Sequence, residues 1–359
     1  MGRDFTSLIR IVVQAGWLFF VLVSLVGSLK GRVWTSTNGV KIEGEVFEVD
    51  EERVGLRMDG RDYFFLITRF IPADRLYLKE WKSHERCGVC SGKLGNNFKE
   101  AGEQKFHPPC FRCMVCQKTF VGGDGLGKDP WGGLVHLKHL KQAQTCGSCS
   151  RFFSQREADS RQFFQDGRVS CKVCLRDAVF DLEKLNQVRE RVLPSLSRVG
   201  LVLPSNRPTK VYLVDRRFLD REAKRIKASG NLRGLTLTKY KITRGAHFSD
   251  ASFEHRIYIL KGLPYVECIA VLAHEYAHVW LNERFIESTP LEIEGFCNLI
   301  SELCLAEDKS KISTLLRENM MKSENPVYGL GFRKMRAKLQ SLGWRALLAE
   351  MKGKSKPPR

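Results

Sequence analysis

Apolar and polar positions follow four different rules along the chain, and each rule predicts a different kind of element. Residues 11–29 form a nineteen-residue run, apolar apart from Gln14 and two serines. That is close to the roughly 20 residues a bilayer-crossing helix needs, and longer than the about 7–15 residues of a cleaved signal core. Residues 31–82 alternate with period two. Val40–Val49, Arg53–Met58 and Tyr63–Ile67 read as strands, with Asp59-Gly60 as the hairpin turn between the last two. Between 84 and 174 apolar residues are few and sit among evenly spaced Cys and His. From about Leu175 the spacing becomes helical. Asp181–Leu193 predicts a helix that Pro194 stops or kinks, and Pro204 and Pro208 mark a loop. Lys210–Asp215 and Arg256–Leu260 predict strands, and Arg233–Thr238 a further strand or a turn into one. Pro264 opens a helix through Cys268–Leu281, and a second runs through Glu294 to Leu305. Asn325–Arg333 predicts a glycine-rich turn that breaks the last helical region.

The apolar run is expected to be an uncleaved single-pass membrane anchor. Val26-Gly27-Ser28 would pass as a cleavage site, so a removed signal is the second reading. Arg3 and Arg10 before the run and Lys30 and Arg32 after it leave the orientation open. The net charge of +19 is concentrated at the other end, where residues 309–359 carry thirteen basic against three acidic side chains. A solvated helix face and a Lys/Pro tail account for this charge, although an anionic membrane surface or acidic partner would also suit it. No aromatic-basic repeat of the nucleic-acid kind accompanies it, so nucleic acid is not an expected partner.

Nine of the twelve cysteines fall into close-spaced sets, which points to metal rather than to a disulfide framework. Cys87, Cys90, His107 and Cys110 would close one tetrahedral site, and Cys113, Cys116, His136 and His139 a second. This is the spacing of a LIM domain, with two zinc modules packed through Phe111. Its final His136/His139 pair is an uncommon variant. Cys146, Cys149, Cys171 and Cys174 form two C-x-x-C pairs that read as one more Cys₄ zinc knuckle. A redox C-x-x-C explains a second pair at matching distance less well. The remaining Cys268, Cys297 and Cys304 sit in apolar helical context and read as packing residues.

The densest chemistry lies in Leu272-Ala273-His274-Glu275-Tyr276-Ala277-His278-Val279-Trp280. In a helix His274 and His278 share one face a turn apart, so two neutral imidazoles can hold one zinc ion while Glu275 stands beside it as a general base. Glu294, sixteen residues on, opens the next helix as the third ligand. Glu292 is a possible substitute, though two positions earlier it points to another face. Glu294-Gly295-Phe296 resembles the third-ligand helix of gluzincin peptidases. Tyr328 is the candidate donor to an oxyanion, with His247 and His255 as further candidates.

Two wider resemblances follow. Arg32-Val33-Trp34-Thr35, the alternating strands and Ile71-Pro72…Leu76-Tyr77-Leu78 resemble the small SH3-like domain first named in a yeast endocytic adaptor. The LIM spacing, the knuckle, Arg233-Gly234-Leu235-Thr236, Leu263-Pro264, the H-E-x-x-H helix, Glu294-Gly295-x-Cys297 and Tyr328-Gly329-x-Gly331-Phe332-Arg333 occur in an order similar to that of the plant LIM-domain metallopeptidases that limit organ size. That resemblance implies a zinc endopeptidase acting on proteins and activated by ubiquitin. The ubiquitin-interacting motifs of that family are not found in this sequence, which leaves ubiquitin open as a partner.

The expected architecture is multidomain α+β. It comprises a transmembrane anchor or signal (1–30), a small SH3-like β-barrel (31–82), a LIM domain with two zinc sites (84–141), a LIM-like Cys₄ knuckle (142–177) and a gluzincin-like peptidase domain with a basic tail (178–359). The expected cofactor is Zn²⁺, one catalytic and about three structural. Expected partners are protein substrates at the catalytic site, proteins recruited by the LIM and SH3-like modules, and a membrane at the N-terminal helix. The rival expectation is a membrane-tethered LIM adaptor whose peptidase fold is inactive.

Overall fold

A computed structural model describes residues 31–59, 61–101, 104–154, 163–203, 209–226, 232–244 and 249–356. The apolar run at 11–29, with both of its readings, lies outside the described residues, as do Gly60 and His247. Among the described residues no helix is long and apolar enough to cross a membrane.

The first module is an antiparallel meander of β1 (Arg32–Thr35), β2 (Lys41–Val49), β3 (Arg53–Met58) and β4 (Arg61–Leu66), hydrogen-bonded in that order. Met58 pairs with Arg61 across the tight turn, where Asp59 takes φ +50°. Asp tolerates that left-handed conformation better than most residues. Period-two alternation turns Trp34, Val54 and Leu56 inward, and Trp34 Nε1 donates to Gly44 O at 2.9 Å. The stretch from Pro72 is a helix, α1 (Pro72–Lys82), with proline at its tolerated first position. Asp74 joins it to β1 by accepting from Thr35 N–H at 2.8 Å and from Arg32 at 2.7 Å, and Leu78 closes the small core.

The LIM segment has two short hairpins, β5 (Lys99–Ala101) with β6 (Gln104–Phe106) and β7 (Leu126–Lys128) with β8 (Leu134–His136). Phe111 packs between Phe106 and Phe120, with ring centroids 5.1 and 5.0 Å away, and so joins the two Cys/His clusters. The knuckle adds β9 (Ala143–Thr145), β10 (Phe152–Ser154) and α2 (Lys172–Arg176). Its four cysteines are themselves the buried cluster, because so short a segment has too little apolar surface for a core of its own.

The last module holds the largest core. β11 (Ala178–Val179) leads to α3 (Leu182–Arg198), whose cap Asp181 accepts from Lys184 N–H at 2.8 Å. Pro194 does not end α3. It falls near the last turn, where the carbonyl it leaves unbonded belongs to the exposed Glu190 and can be hydrated. β12 (Lys210–Val214) and α4 (Arg216–Arg225) precede the long strands β13 (Gly234–Arg244) and β14 (Ser249–Leu260). The sheet order is β12-β14-β13, with β12 parallel and β13 antiparallel to β14. Arg233–Thr238 is therefore the start of an edge strand. The pair β15 (Leu263–Pro264) with β11 then feeds α5 (Tyr265–Asn282) and α6 (Pro290–Ala306). α7 (Lys311–Lys322), α8 (Tyr328–Leu342) and α9 (Trp344–Gly353) follow. Trp280, Phe296 and Phe332 are fully buried between these helices, each burial contributing about 1.5–3 kcal/mol. Part of the basic end is paired within the fold: Glu292 takes Lys338 and Lys354, and Glu302 takes Arg317 and Arg336.

The last helical region does break, at residues 323–327, but the glycines that follow belong to a helix and not to the turn. Both Gly329 and Gly331 lie inside α8: Gly331 lets α8 approach α6 closely at Leu291 and Gly295, and Gly329 lets its first turn pack against the Ser323 backbone after α7. A Cβ on Gly295 would fall well inside van der Waals contact of the Gly331 backbone, which has no flexible end to move aside. Gly295→Ala should gain about 1 kcal/mol of helix propensity and lose about 1–3 kcal/mol to overpacking. A lower urea midpoint is expected, and a midpoint at or above the parent's would show that the two helices part freely.

The modules touch one another directly. Phe64 N–H donates to Lys309 O, Arg61 pairs with Asp177 at 2.6 Å, and Arg233 Nη2 donates to Gly147 O at 3.1 Å.

Candidate metal centre

α5 is amphipathic in an unusual sense: both of its faces are covered. Cys268, Ile269, Leu272, Tyr276, Val279 and Trp280 face the core. Val271, His274, Glu275, His278 and Asn282 line a cavity of about 700 Å³, at the three- and four-residue steps that keep side chains on one helical face. α6 crosses beside it. Thr289 caps α6, Pro290 opens it, and its face turned toward α5 carries Glu294, Asn298 and Ser301. Ser301 Oγ fixes the crossing by donating to Ala270 O at 2.7 Å.

This crossing brings three donors together. His274 Nε2 and His278 Nε2 are 3.1 Å apart, and Glu294 Oε2 lies 3.1 Å from the first and 3.6 Å from the second. Ligand atoms about 2.0–2.1 Å from a tetrahedral zinc are themselves about 3.3 Å apart, so the spacing fits. Asn298 Oδ1 lies 3.0 Å from His274 Nδ1. An amide oxygen can only accept, which puts the proton on Nδ1 and leaves the Nε2 lone pair facing the other donors. Burial opposes the charged form of both imidazoles, yet hydrogen bonding to Glu294 raises them above the ordinary histidine value. Burial likewise opposes ionisation of Glu294, but the two imidazoles hold it well below the usual carboxylate range. Three mutually dependent polar groups gathered in a part-buried cleft are what a bound cation would satisfy together.

Cys297, read from sequence as packing, also brings its thiol within 4.8 Å of the His274 and His278 donors, so the His274, His278 and Cys297 trio could hold a metal. Its thiol is fully buried and pushed up by that burial, whereas Glu294 is nearer and opens to the cleft. Glu294 is the better third donor on both counts. Glu292 is engaged elsewhere: Lys354 and Lys338, with Ser288, draw it down to about 2.

Glu275 is 5 % exposed and does not join the donor set. Thr236 Oγ1 donates to its Oε2 at 2.7 Å, and Gly234 leaves room for its other oxygen, which a Cβ there would meet at 2.5 Å. Tyr328, at the start of α8, lines the same cavity with its ring centroid 6.3 Å from that of His274. Burial pushes its hydroxyl up to about 12. Asn298 Nδ2 donates to Tyr328 O at 3.2 Å, so one side chain orients both the imidazole and the tyrosine. His255 is outside this cavity, buried between Thr238 at 2.9 Å and Glu283 at 3.0 Å. Asn298 and Thr236 had no role in the sequence reading. The position of Asn298 four residues after Glu294 was the available signal for it, whereas Thr236 appeared there only inside a resembling motif.

The other clusters have the same logic in closed form. Cys87, Cys90, His107 and Cys110 come together, as do Cys113, Cys116, His136 and His139, and Cys146, Cys149, Cys171 and Cys174. His107 and His136 turn Nδ1 to their cysteines, at 3.3 and 3.5 Å. Their Nε2 atoms meet Lys93 O and Asp124 Oδ2, both at 3.1 Å, the acceptors that fix this tautomer in metal-binding histidines. Burial works against ionising Cys87 and Cys113, but backbone N–H groups directed at their sulfurs bring both down to about 7. These sets, with thiolates and imidazoles on all sides, suit structural zinc.

The LIM domain family profile matches residues 87–129. Protein DA1 of Arabidopsis thaliana is 24% identical over 338 aligned positions, covering 73% of this chain and 61% of the relative. Protein DA1-related 2 of the same plant is 22% identical, covering 67% of this chain and 57% of the relative. The LIM domain-containing protein HDR3 of Oryza sativa subsp. japonica is 22% identical, covering 63% and 57%. The chain thus spans about three fifths of the length of these relatives. No solved structure matches it. The chain carries a LIM domain and is a distant homologue of the DA1 and DA1-related LIM-domain proteins.

Proposed function

We propose that this protein is a zinc-dependent endopeptidase that hydrolyses peptide bonds in protein substrates. The observation that carries the reading is the convergence of His274, His278 and Glu294 within 3.6 Å, beside Glu275, on the wall of one open cavity. His274, His278 and Glu294 would hold the zinc ion, which supplies Lewis acidity and makes water acidic enough to lose a proton near neutral pH. Glu275 accepts that proton at its carboxylate and returns it to the departing amine nitrogen. Thr236 keeps the carboxylate turned to the task. Tyr328 donates its hydroxyl proton in a hydrogen bond to the oxygen that gains negative charge. Among the described residues no strand pairs with the outer edge of β13, which offers backbone groups on which an extended substrate can add as a further strand.

The rival reading, an adaptor with an inactive site, gives Glu275 no purpose. A carboxylate buried to this degree and held by a hydroxyl, rather than by a cation, costs stability in a pure scaffold. Recruitment of protein partners through the LIM domain and the N-terminal module belongs to the same proposal, as does membrane attachment through residues 11–29.

Incubation of the purified chain with an unfolded protein tests the reading. Cleavage should stop on chelation and return on adding zinc, and cleavage indifferent to chelation would defeat it. Tyr328→Phe should keep its zinc and lower kcat by about 10²-fold with a smaller change in KM, the pattern of a contact made in the transition state. A rise in KM at unchanged kcat would make Tyr328 a substrate-binding residue instead.

A further inference from the structure

The cleft does not end at the helices that carry the imidazoles. A second hollow of about 320 Å³ adjoins it. The two share Arg233, Asn298, Leu316, Met320, Ser323 and Tyr328 in their walls. The far wall of the second hollow comes from another module: it is Gly147 and Ser148, the turn between the first two cysteines of the Cys₄ knuckle.

That turn is held firmly in place. Gly147 N–H donates to Val169 O at 2.9 Å, and Gly147 O accepts from Arg233 Nη2 at 3.1 Å. Arg233 is anchored in turn by an ion pair with the buried Glu267 on α5. It immediately precedes Gly234, where the open edge of β13 begins. A polypeptide laid along that edge past His274 and Glu275 therefore leaves the metal donors across Arg233 and runs between α7 and the knuckle.

We propose that the Cys₄ knuckle is a wall of the substrate cleft and binds the polypeptide several residues away from the bond to be cut, on the Arg233 side. The inference rests on the peptidase reading and adds the class of substrate. The substrate is an extended or unfolded segment, because only exposed backbone can pair with the edge of β13 and continue between α7 and the knuckle. Apart from Arg233, whose charge is paired with Glu267, the hollow sets apolar Leu316 and Met320 beside the neutral polar Asn319, Ser323 and Ser148, so it accepts uncharged side chains. Met320 is flexible enough to fit several of them.

The test uses the full zinc-loaded chain carrying Glu275→Gln, so that binding is read without turnover. Three fluorescent peptides share one central sequence: a short one, one extended at its N-terminus and one extended at its C-terminus, both by uncharged residues. Fluorescence anisotropy gives each Kd. One extended peptide should bind at least about tenfold tighter than the short one. Adding Ser148→Trp, which fills the hollow from the knuckle side and spares the zinc ligands, should remove that advantage. Asn319→Trp, filling it from α7, should do the same and serves if the knuckle variant fails to fold. Equal affinity for all three peptides, or an advantage that survives both tryptophans, overturns the proposal. Cleavage of the same peptides by the parent chain is scored separately. Ser148-dependent binding with no cleavage would defeat the peptidase reading while leaving the knuckle as a peptide-binding wall.

Discussion

Glu275→Gln should leave zinc content and stability close to the parent's while slowing peptide-bond cleavage at least about 10²-fold, the usual scale for losing a general base. The expectation rests on what the substitution preserves. Gln has the size of Glu, so the close contact with Gly234 is undisturbed, and its amide oxygen can still accept from Thr236 Oγ1. The proposed zinc donors His274, His278 and Glu294 are untouched, because Glu275 does not join their cluster. Stability should not fall, since a buried charge becomes a neutral amide that keeps its partner. What disappears is the capacity to take a proton. Metal analysis, a thermal midpoint and a cleavage assay on one preparation separate these effects. Wild-type rates from a folded, zinc-replete variant would end the peptidase reading and favour the adaptor.

A fully loaded chain should hold four zinc ions, and removing different ones should have very different consequences. His274→Ala should lose one ion and keep its fold, because α5 and α6 are held by Trp280, Phe296 and the rest of the large core. Cys171→Ser should also lose one ion and, with it, the knuckle. The buried cluster there is the four cysteines with a few partly buried neighbours, and structural zinc of this type is worth about 10–16 kcal/mol of apparent binding energy. The loss should spread, since Arg233 donates to Gly147 O and Arg168 to Lys261 O across the module boundary. Cleavage should therefore fall in Cys171→Ser although no metal donor of the α5–α6 cleft has changed. Metal stoichiometry and hydrogen exchange over residues 142–177 and 233–238 measure both effects. A count of three in the loaded parent would remove the knuckle site or the His274/His278 site. Unchanged exchange at 233–238 would show that the modules are uncoupled.

The chemistry that depends on short spacing was legible in the residues themselves. A pair of histidines four apart meets on any helix, and a C-x-x-C turn converges on any knuckle, because both arrangements follow from local backbone geometry. The period-two stretch from Arg32 to Leu66 and the helical run of α5 are visible for the same reason. Glu294 was reached from its place sixteen residues after His278 and from the resemblance of Glu294-Gly295-Phe296 to a third-ligand helix, with Glu292 set aside because it points to another face. What removes Glu292 from the site lies far along the chain, in Lys338 of α8 and Lys354 after α9.

The rest required the packing. Pattern alone reads Gly329 and Gly331 as a turn, because glycine disfavours helices; in the helix, α6 lies too close to Gly331 and the Ser323 backbone too close to Gly329 to admit a Cβ. Asn298 acquires its role when the crossing of α5 and α6 sets its oxygen against His274, and Thr236 when the edge strand runs past Glu275. Gly147 meets Arg233 across eighty-six residues. The sequence by itself determined which donors exist and which stand within a turn of each other, since those distances are set by covalent geometry and one helix. Only the tertiary structure decided which of them share a cleft. That depends on how buried faces from distant segments fit together, and the cost of leaving a buried polar group unpaired selects the partners only once that fit is made.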